Sequence, residues 1–188
     1  IIALGQASQG GTTIPVDAIG RPLYNAISWM DTRGTDEAAR IRSALGAEYV
    51  CSTTGWPLSN AFPLQHIAWL RANRPTVFAG AHRFLFVNDF ITARLTHEHV
   101  MNPSDATMTQ LFNISSGTWD EGLLAATAIR RENLSPVQPS GTPVARLNPE
   151  ASADLGLPAD VLVVNGAHDQ YCAAVATGAT GPGKMLLS

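Results

Sequence analysis

Short apolar runs separated by polar, Gly- and Pro-containing stretches set the rhythm of the chain. It opens on Ile1–Leu4, four apolar residues in a row, and closes on Lys184–Ser188, which holds three more. Continuous runs of this length predict strands covered on both faces. A strand is therefore expected at each end, and both ends read as cuts through a larger fold. Thr13–Val16, Asp17–Gly20 and then Pro22 with Leu23 predict a strand, a turn and a strand return. Thr35, Asp36 and Glu37 place a cap and acids ahead of Ala38–Leu45, and Gly46 marks the stop. Leu64, Ile67, Ala68 and Arg71 recur at helical spacing. Asn88 or Asp89 is the expected cap of a helix carrying Phe90, Ile91 and Leu95. Asp120 and Glu121 open another, carrying Leu123, Leu124 and Ala128. Pro136, Pro139 and Pro143 mark an irregular connector. After it, Asn148-Pro149-Glu150 supplies an N-cap, a first helical residue and an acidic first turn, with Gly156 as the stop. Val161–Val164 predicts a buried strand and Gln170–Ala179 a helix of small residues. Strands alternating with helices predict an α/β fold, a mixed sheet flanked by helices.

Composition narrows the function classes. Hydrophobic residues make up 45% of the 188 positions, enough for a sizeable core, so disorder is excluded as the dominant state. Charged residues make up 14%, against roughly 25% in an ordinary soluble domain. The formal net charge is −3 and Lys184 is the single lysine. Neither nucleic acid nor an anionic membrane is expected as a partner. No apolar run approaches the roughly 20 residues of a membrane span, and no signal-type segment is seen. Cys51 and Cys172 are too few for a disulfide framework. Their apolar neighbours predict small core residues, and a reducing, cytoplasmic location is the default.

The stretch with most chemistry is Asn165-Gly-Ala-His168-Asp169-Gln170, where an apolar strand meets a helix. Open α/β sheets bind ligands beyond the carboxyl ends of their strands. A carboxylate there is placed to take a proton from a substrate hydroxyl; equally, Asp169 reads as a helix cap. Trp29-Met-Asp31-Thr-Arg33 would set an aromatic, an acid and a guanidinium on one side of an extended segment, suited to a polyol. The alternative is an Asp31–Arg33 pair that stiffens a loop. Gly178–Lys184 falls short of the phosphate-binding loop, because Met185 follows the lysine and Pro182 removes a backbone donor. It reads as a turn. Ser8 lacks the G-x-S-x-G setting of a hydrolase nucleophile. His97-Glu-His99 lacks metal-site spacing, and no metal is expected.

In order along the chain, Gly5-Gln-Ala-Ser-Gln9, Asp17-Ala-Ile-Gly20-Arg-Pro-Leu and Ala26-Ile-Ser-Trp29-Met-Asp31-Thr-Arg33 are followed by Asn88-Asp-Phe and Arg94-Leu-Thr96. Pro103-Ser-Asp105-Ala106, Leu111–Ile114, Trp119-Asp120 and Gly166-Ala-His-Asp169-Gln170 complete the series. The ordered series resembles the FGGY family of carbohydrate kinases over nearly the whole chain. That resemblance implies an actin-like, ribonuclease-H-like fold and ATP-dependent phosphorylation of a sugar or polyol hydroxyl. It makes Asp169 the catalytic base and gives Gln170, Trp29, and the stretch Gln9, Gly10 and Gly11 to the substrate. Residues 1–188 then form part of the N-terminal, substrate-binding lobe. The family's first phosphate strand and its C-terminal nucleotide lobe, which hold most of ATP and Mg²⁺, are absent. The partner is a small sugar or polyol, and a homodimer is compatible. The competing class is a non-catalytic actin-like module for sugar binding or regulation. Glycerol is disfavoured as substrate, because Gly10 and Gly11 stand where the glycerol branch has an Arg-Glu pair. The space those side chains vacate is expected to admit a larger polyol or ketose.

Overall fold

The computed structural model describes residues 1–187. The chain runs through β1 (Ala3–Ser8), β2 (Ile14–Val16), α1 (Thr35–Leu45), α2 (Ala47–Thr54), α3 (Pro63–Asn73) and α4 (Pro75–Gly80). It continues through β3 (Arg83–Leu85), α5 (Val87–Thr96), α6 (Pro103–Thr107), β4 (Phe112–Asn113), β5 (Thr118–Trp119) and α7 (Glu121–Thr127). Last come β6 (Pro143–Arg146), α8 (Pro149–Leu155), β7 (Leu162–His168) and α9 (Asp169–Ala176).

The sheet that matters for function is ordered β1-β7-β6. β7 lies in the middle, parallel to β1 and antiparallel to β6, so the sheet is mixed as predicted. The β1–β7 register runs from Ala3 opposite Leu162 to Ser8 opposite His168, and it shifts between Gly5 and Ala7. At the shift, a Cβ on Gly166 would run into the carbonyl of Gln6, so only glycine lets the two strands close there. Because the strands are parallel, their carboxyl ends finish side by side.

The larger core packs Leu64, Ile67 and Leu70 of α3 against Phe84, Phe86, Trp119, Leu123 and Leu124. A smaller one sets Leu147 and Ala151 against Val161 and Val163. Helix starts follow the capping chemistry where a short polar side chain precedes the helix. Asn148 accepts from the Ala151 amide at 2.8 Å and Asp120 from the Leu123 amide at 3.1 Å. Pro149 sits in the first turn of α8, and Gly156 ends it in the left-handed region at φ 63°. The predicted turn after β2 also forms, with Val16 bridged to Pro22.

Several expectations are corrected. Residues 184–187 form no strand, and Ser188 lies outside the described residues. The opening strand exists, but Ile1 and Ile2 precede it and are exposed, because among the described residues β1 pairs along one edge only. α5 begins one residue before the expected caps. Phe86 is its N-cap, and Asp89 reaches back to the Phe86 amide at 2.6 Å from the third helical position. α1 starts after Gly34 with no side-chain cap. Cys51 is exposed and Cys172 half-buried, since α2 buries Val50, Thr53 and Thr54 instead. Gly178–Lys184 is a turn, with the Lys184 ammonium donating to the Gly178 carbonyl at 2.7 Å. Among the described residues no helix is long and apolar enough to cross a membrane.

Candidate active site

β7 passes directly into α9. His168 is both the last strand residue and the helix N-cap, and Asp169 is the first helical residue. No side chain caps α9, so the reading of Asp169 as a cap does not hold. Its carboxylate is about half exposed at the carboxyl end of the central strand, and Gln170 beside it is exposed.

The neighbouring strand delivers the second part of the site. After Ser8 the chain turns through Gln9–Thr12. The Gln9 amide donates to Thr12 Oγ1 at 3.2 Å and accepts from Trp29 Nε1 at 3.1 Å. Thr12 Oγ1 also accepts from the Trp29 backbone amide. The Trp29 side chain is thus tethered while half its surface stays open. Gly11, at φ 77°, lies against Trp29, where a Cβ would come within 3.1 Å.

Gly10 joins the two parts. A Cβ there would sit 2.7 Å from Met108 and 2.9 Å from the His168 ring. Absence of a side chain lets the loop after β1 press against the junction that carries Asp169. The expectation of vacated space is therefore corrected. Met108 and His168 fill the direction a side chain at Gly10 would take, and Trp29 fills that of Gly11.

Asp31 is placed differently from Trp29. The segment turns at Ser28–Asp31 rather than running extended, so Trp29, Asp31 and Arg33 do not share one face. Arg33 engages both Asp31 oxygens, at 2.9 and 2.6 Å, and holds that carboxyl down to about 2. The guanidinium also lies over the Trp69 ring at 4.6 Å. Beneath the loop, His66 is fully buried between the Asp31 carbonyl, 3.1 Å from Nε2, and Thr13 Oγ1, 3.2 Å from Nδ1. Burial pushes its pKa down to about 4, so the ring is neutral at pH 7. Since a carbonyl only accepts, Nε2 carries the proton and Thr13 donates to Nδ1.

A buried polar group behind Asp169 carried no assigned role in the sequence. Asp105, in α6, is 2% exposed; its Oδ2 accepts from Asn102 at 2.8 Å and more weakly from Ser8 at 3.5 Å. Burial raises its pKa to about 7; those two donors oppose the rise, and the charge on Asp169 adds to it. Asp89 is likewise raised by burial to about 7, against hydrogen bonds from Ser135 and the Phe86 amide. The available signal was local: Asn102-Pro103 repeats the Asn148-Pro149 capping pattern. Among the described residues no three His, Cys, Asp or Glu side chains gather to hold a metal, and Lys184 is spent on a turn carbonyl. Together the site residues build a solvent-facing carboxylate at the ends of two parallel strands, flanked by an open indole and an amide-lined loop, suited to receiving a hydroxyl proton.

Comparison with known proteins decides the family. The model for the N-terminal domain of the FGGY family of carbohydrate kinases matches residues 1–176. The chain belongs to the FGGY family. It is 27% identical over 177 residues to a gluconokinase of Bacillus subtilis, covering 94% of this chain and 34% of that one. It is 31% identical over 173 residues to an L-fuculokinase of Salmonella typhi, covering 92% and 36%. Among solved structures, xylulose kinase from Rhodospirillum rubrum superposes with a TM-score of 0.92 at 26% identity, covering 97% of this chain and 37% of that one. Gluconate kinase from Lactobacillus acidophilus gives 0.90 at 25%, covering 95% and 36%. The fold is accordingly the actin-like ATPase fold of the FGGY kinases, and the chain spans about a third of the length of these relatives.

Proposed function

We propose that the protein carrying this chain transfers the terminal phosphoryl group of ATP, with Mg²⁺, to a hydroxyl of a sugar or polyol in the cytoplasm. Residues 1–188 serve as part of its N-terminal, substrate-binding lobe. A new O–P bond forms at the substrate hydroxyl, the bond to the ADP leaving group breaks, and the hydroxyl proton passes to Asp169. Gln170, Gln9 and the backbone at Gly10 and Gly11 face the substrate hydroxyls, and Trp29 stacks on the carbon face. Asp31, locked to Arg33, holds the Trp29 loop. ATP and Mg²⁺ supply the electrophilic phosphorus and neutralise its charge. This chain's residues bind and orient the acceptor and hold the base.

One observation carries this reading: Asp169 has no capping duty, stays half exposed at the end of the central strand, and sits one residue from the His168 ring that packs on the Gln9–Gly11 loop. The test is Asp169→Asn in the full-length protein, assayed with ATP, Mg²⁺ and a panel of sugars and polyols. Turnover is expected to fall by roughly 10²–10⁴-fold, the scale of general-base loss. Sugar affinity should weaken less, and the melting temperature should change little, because no helix cap is lost. Near-normal turnover in the Asn variant would remove Asp169 as the base.

A further inference from the structure

The loop and turn behind Asp169 form a directional chain of hydrogen bonds. Asn102 Oδ1 accepts from the Asp105 amide at 2.8 Å, which fixes the orientation of the Asn102 side chain. The same oxygen accepts from the Ser104 hydroxyl at 2.6 Å, so the Ser104 proton is committed to it. The lone pairs of Ser104 Oγ are left for a donor, and the His168 backbone amide supplies one at 3.0 Å. On its other side Asn102 donates to Asp105, which ties the turn to Ser8 at the end of β1. Asn102 and Asp105 are buried, 0% and 2% exposed, so the turn is set in the core, while Ser104 reaches out from it.

His168 is where this matters. It is the N-cap of α9, and no side chain of its own segment secures that helix start. The amide of the residue before Asp169 is held from α6, an element more than 60 residues away in sequence. We propose that Ser104 is the positioning residue of the candidate base: its hydroxyl, aimed by Asn102, holds the His168 amide and thereby fixes where α9 begins and how Asp169 is presented. The inference rests on Asp169 being the base. It adds a residue that touches neither substrate nor nucleotide and acts only through the strand-to-helix junction.

The expected consequence is a loss of turnover without a matching loss of binding. A displacement of the base on the scale of an ångström costs up to about 100-fold in rate. In the full-length protein, Ser104→Ala should lower kcat by about 10- to 100-fold, with the sugar KM within about threefold of wild type. Ser104→Thr keeps the hydroxyl and should restore kcat to within about threefold. Hydrogen exchange of the peptide containing His168, read by mass spectrometry, should be about tenfold faster in the Ala variant and near wild type in the Thr variant. Asp169→Asn is run alongside. If Asp169→Asn is inactive while Ser104→Ala keeps wild-type kcat, the positioning role is overturned and the base stands. If Asp169→Asn is active, the base itself falls. A Thr variant as slow as the Ala variant, or unchanged exchange at His168 in the Ala variant, would also overturn the proposal, since the hydroxyl would then not be the group that acts.

Discussion

A Cβ on Gly10 would meet both Met108 and the His168 ring, and this close approach turns two segments far apart in sequence into one site. A single added methyl has nowhere to go without displacing one of them. Gly10→Ala is expected to cost about 1–3 kcal/mol, the usual range for overpacking. That corresponds to a fall of roughly 2–4 °C in melting temperature per kcal/mol for a chain of this size. Combining it with Met108→Ala should recover part of the loss. An unchanged melting temperature for Gly10→Ala would show that the loop is free to move off the junction. Asp105 makes a second prediction at this scale. Its folded-state pKa of about 7 lies above the unfolded value near 4. Between those values the folded chain holds a proton that the unfolded chain has released. Stability is therefore fully present below about pH 4 and declines as pH rises towards 7, by up to about 1.4 kcal/mol per pH unit for one group. Asp89 acts in the same sense; His66, lowered to about 4, acts in the opposite sense between about pH 4 and 6.5. Asp105→Asn should become more stable relative to wild type as pH is raised from 4 to 7 in denaturant titrations. A constant difference across that range would mean that Asp105 titrates as an ordinary surface carboxylate.

Helix starts separate what neighbouring residues dictate from what packing dictates. Asn148 with Pro149, and Asp120 with Glu121, cap their helices from the positions their types predict. Asn148→Ala should accordingly cost about 1 kcal/mol or more, read as a lower denaturation midpoint, and Asn148→Asp should recover only part of it, because a carboxylate keeps the cap to the Ala151 amide but loses the donor to the Arg94 carbonyl. A midpoint equal to wild type in the Ala variant would show that Pro149 alone secures α8. α5 and α9 behave otherwise. α5 begins at Val87 because its buried Asp89 satisfies the Phe86 amide and Ser135 together, so its cap lies three residues inside the helix. α9 is held at its start by Ser104 of α6. At both starts the group that satisfies the N-cap residue's amide is set by the fold rather than by the residue type at the cap position.

At the scale of the molecule, two parallel strands bring Ser8 and His168 side by side and place the candidate site at their common end. Among the described residues, the other edge of β1 is unpaired and Tyr171 and Val175 of α9 are more than half exposed. The chain spans about a third of the length of the kinases it matches. The purified 188-residue chain is thus expected to show no sugar-stimulated ADP production. Such activity, free of contaminating kinase, would require an ATP site within these residues and would overturn that expectation.

Local chemistry by itself determined the α/β alternation, the caps at Asn148 and Asp120, the turn after β2 and the placing of Asp169 at a strand-to-helix junction. These depend on neighbours within a few residues, where side-chain type and spacing dominate. The order of motifs also carried the family and, with it, the fold. Tertiary structure decided the rest. Whether Asp169 capped its helix, whether Gly10 left space, which group held His168 and whether Cys51 was buried all turn on contacts across tens of residues. The same local pattern is compatible with either outcome in each case. Asp105 shows the reason most plainly: its sequence setting is an ordinary helix start, and its raised pKa comes from burial by parts of the chain that meet only in the folded molecule.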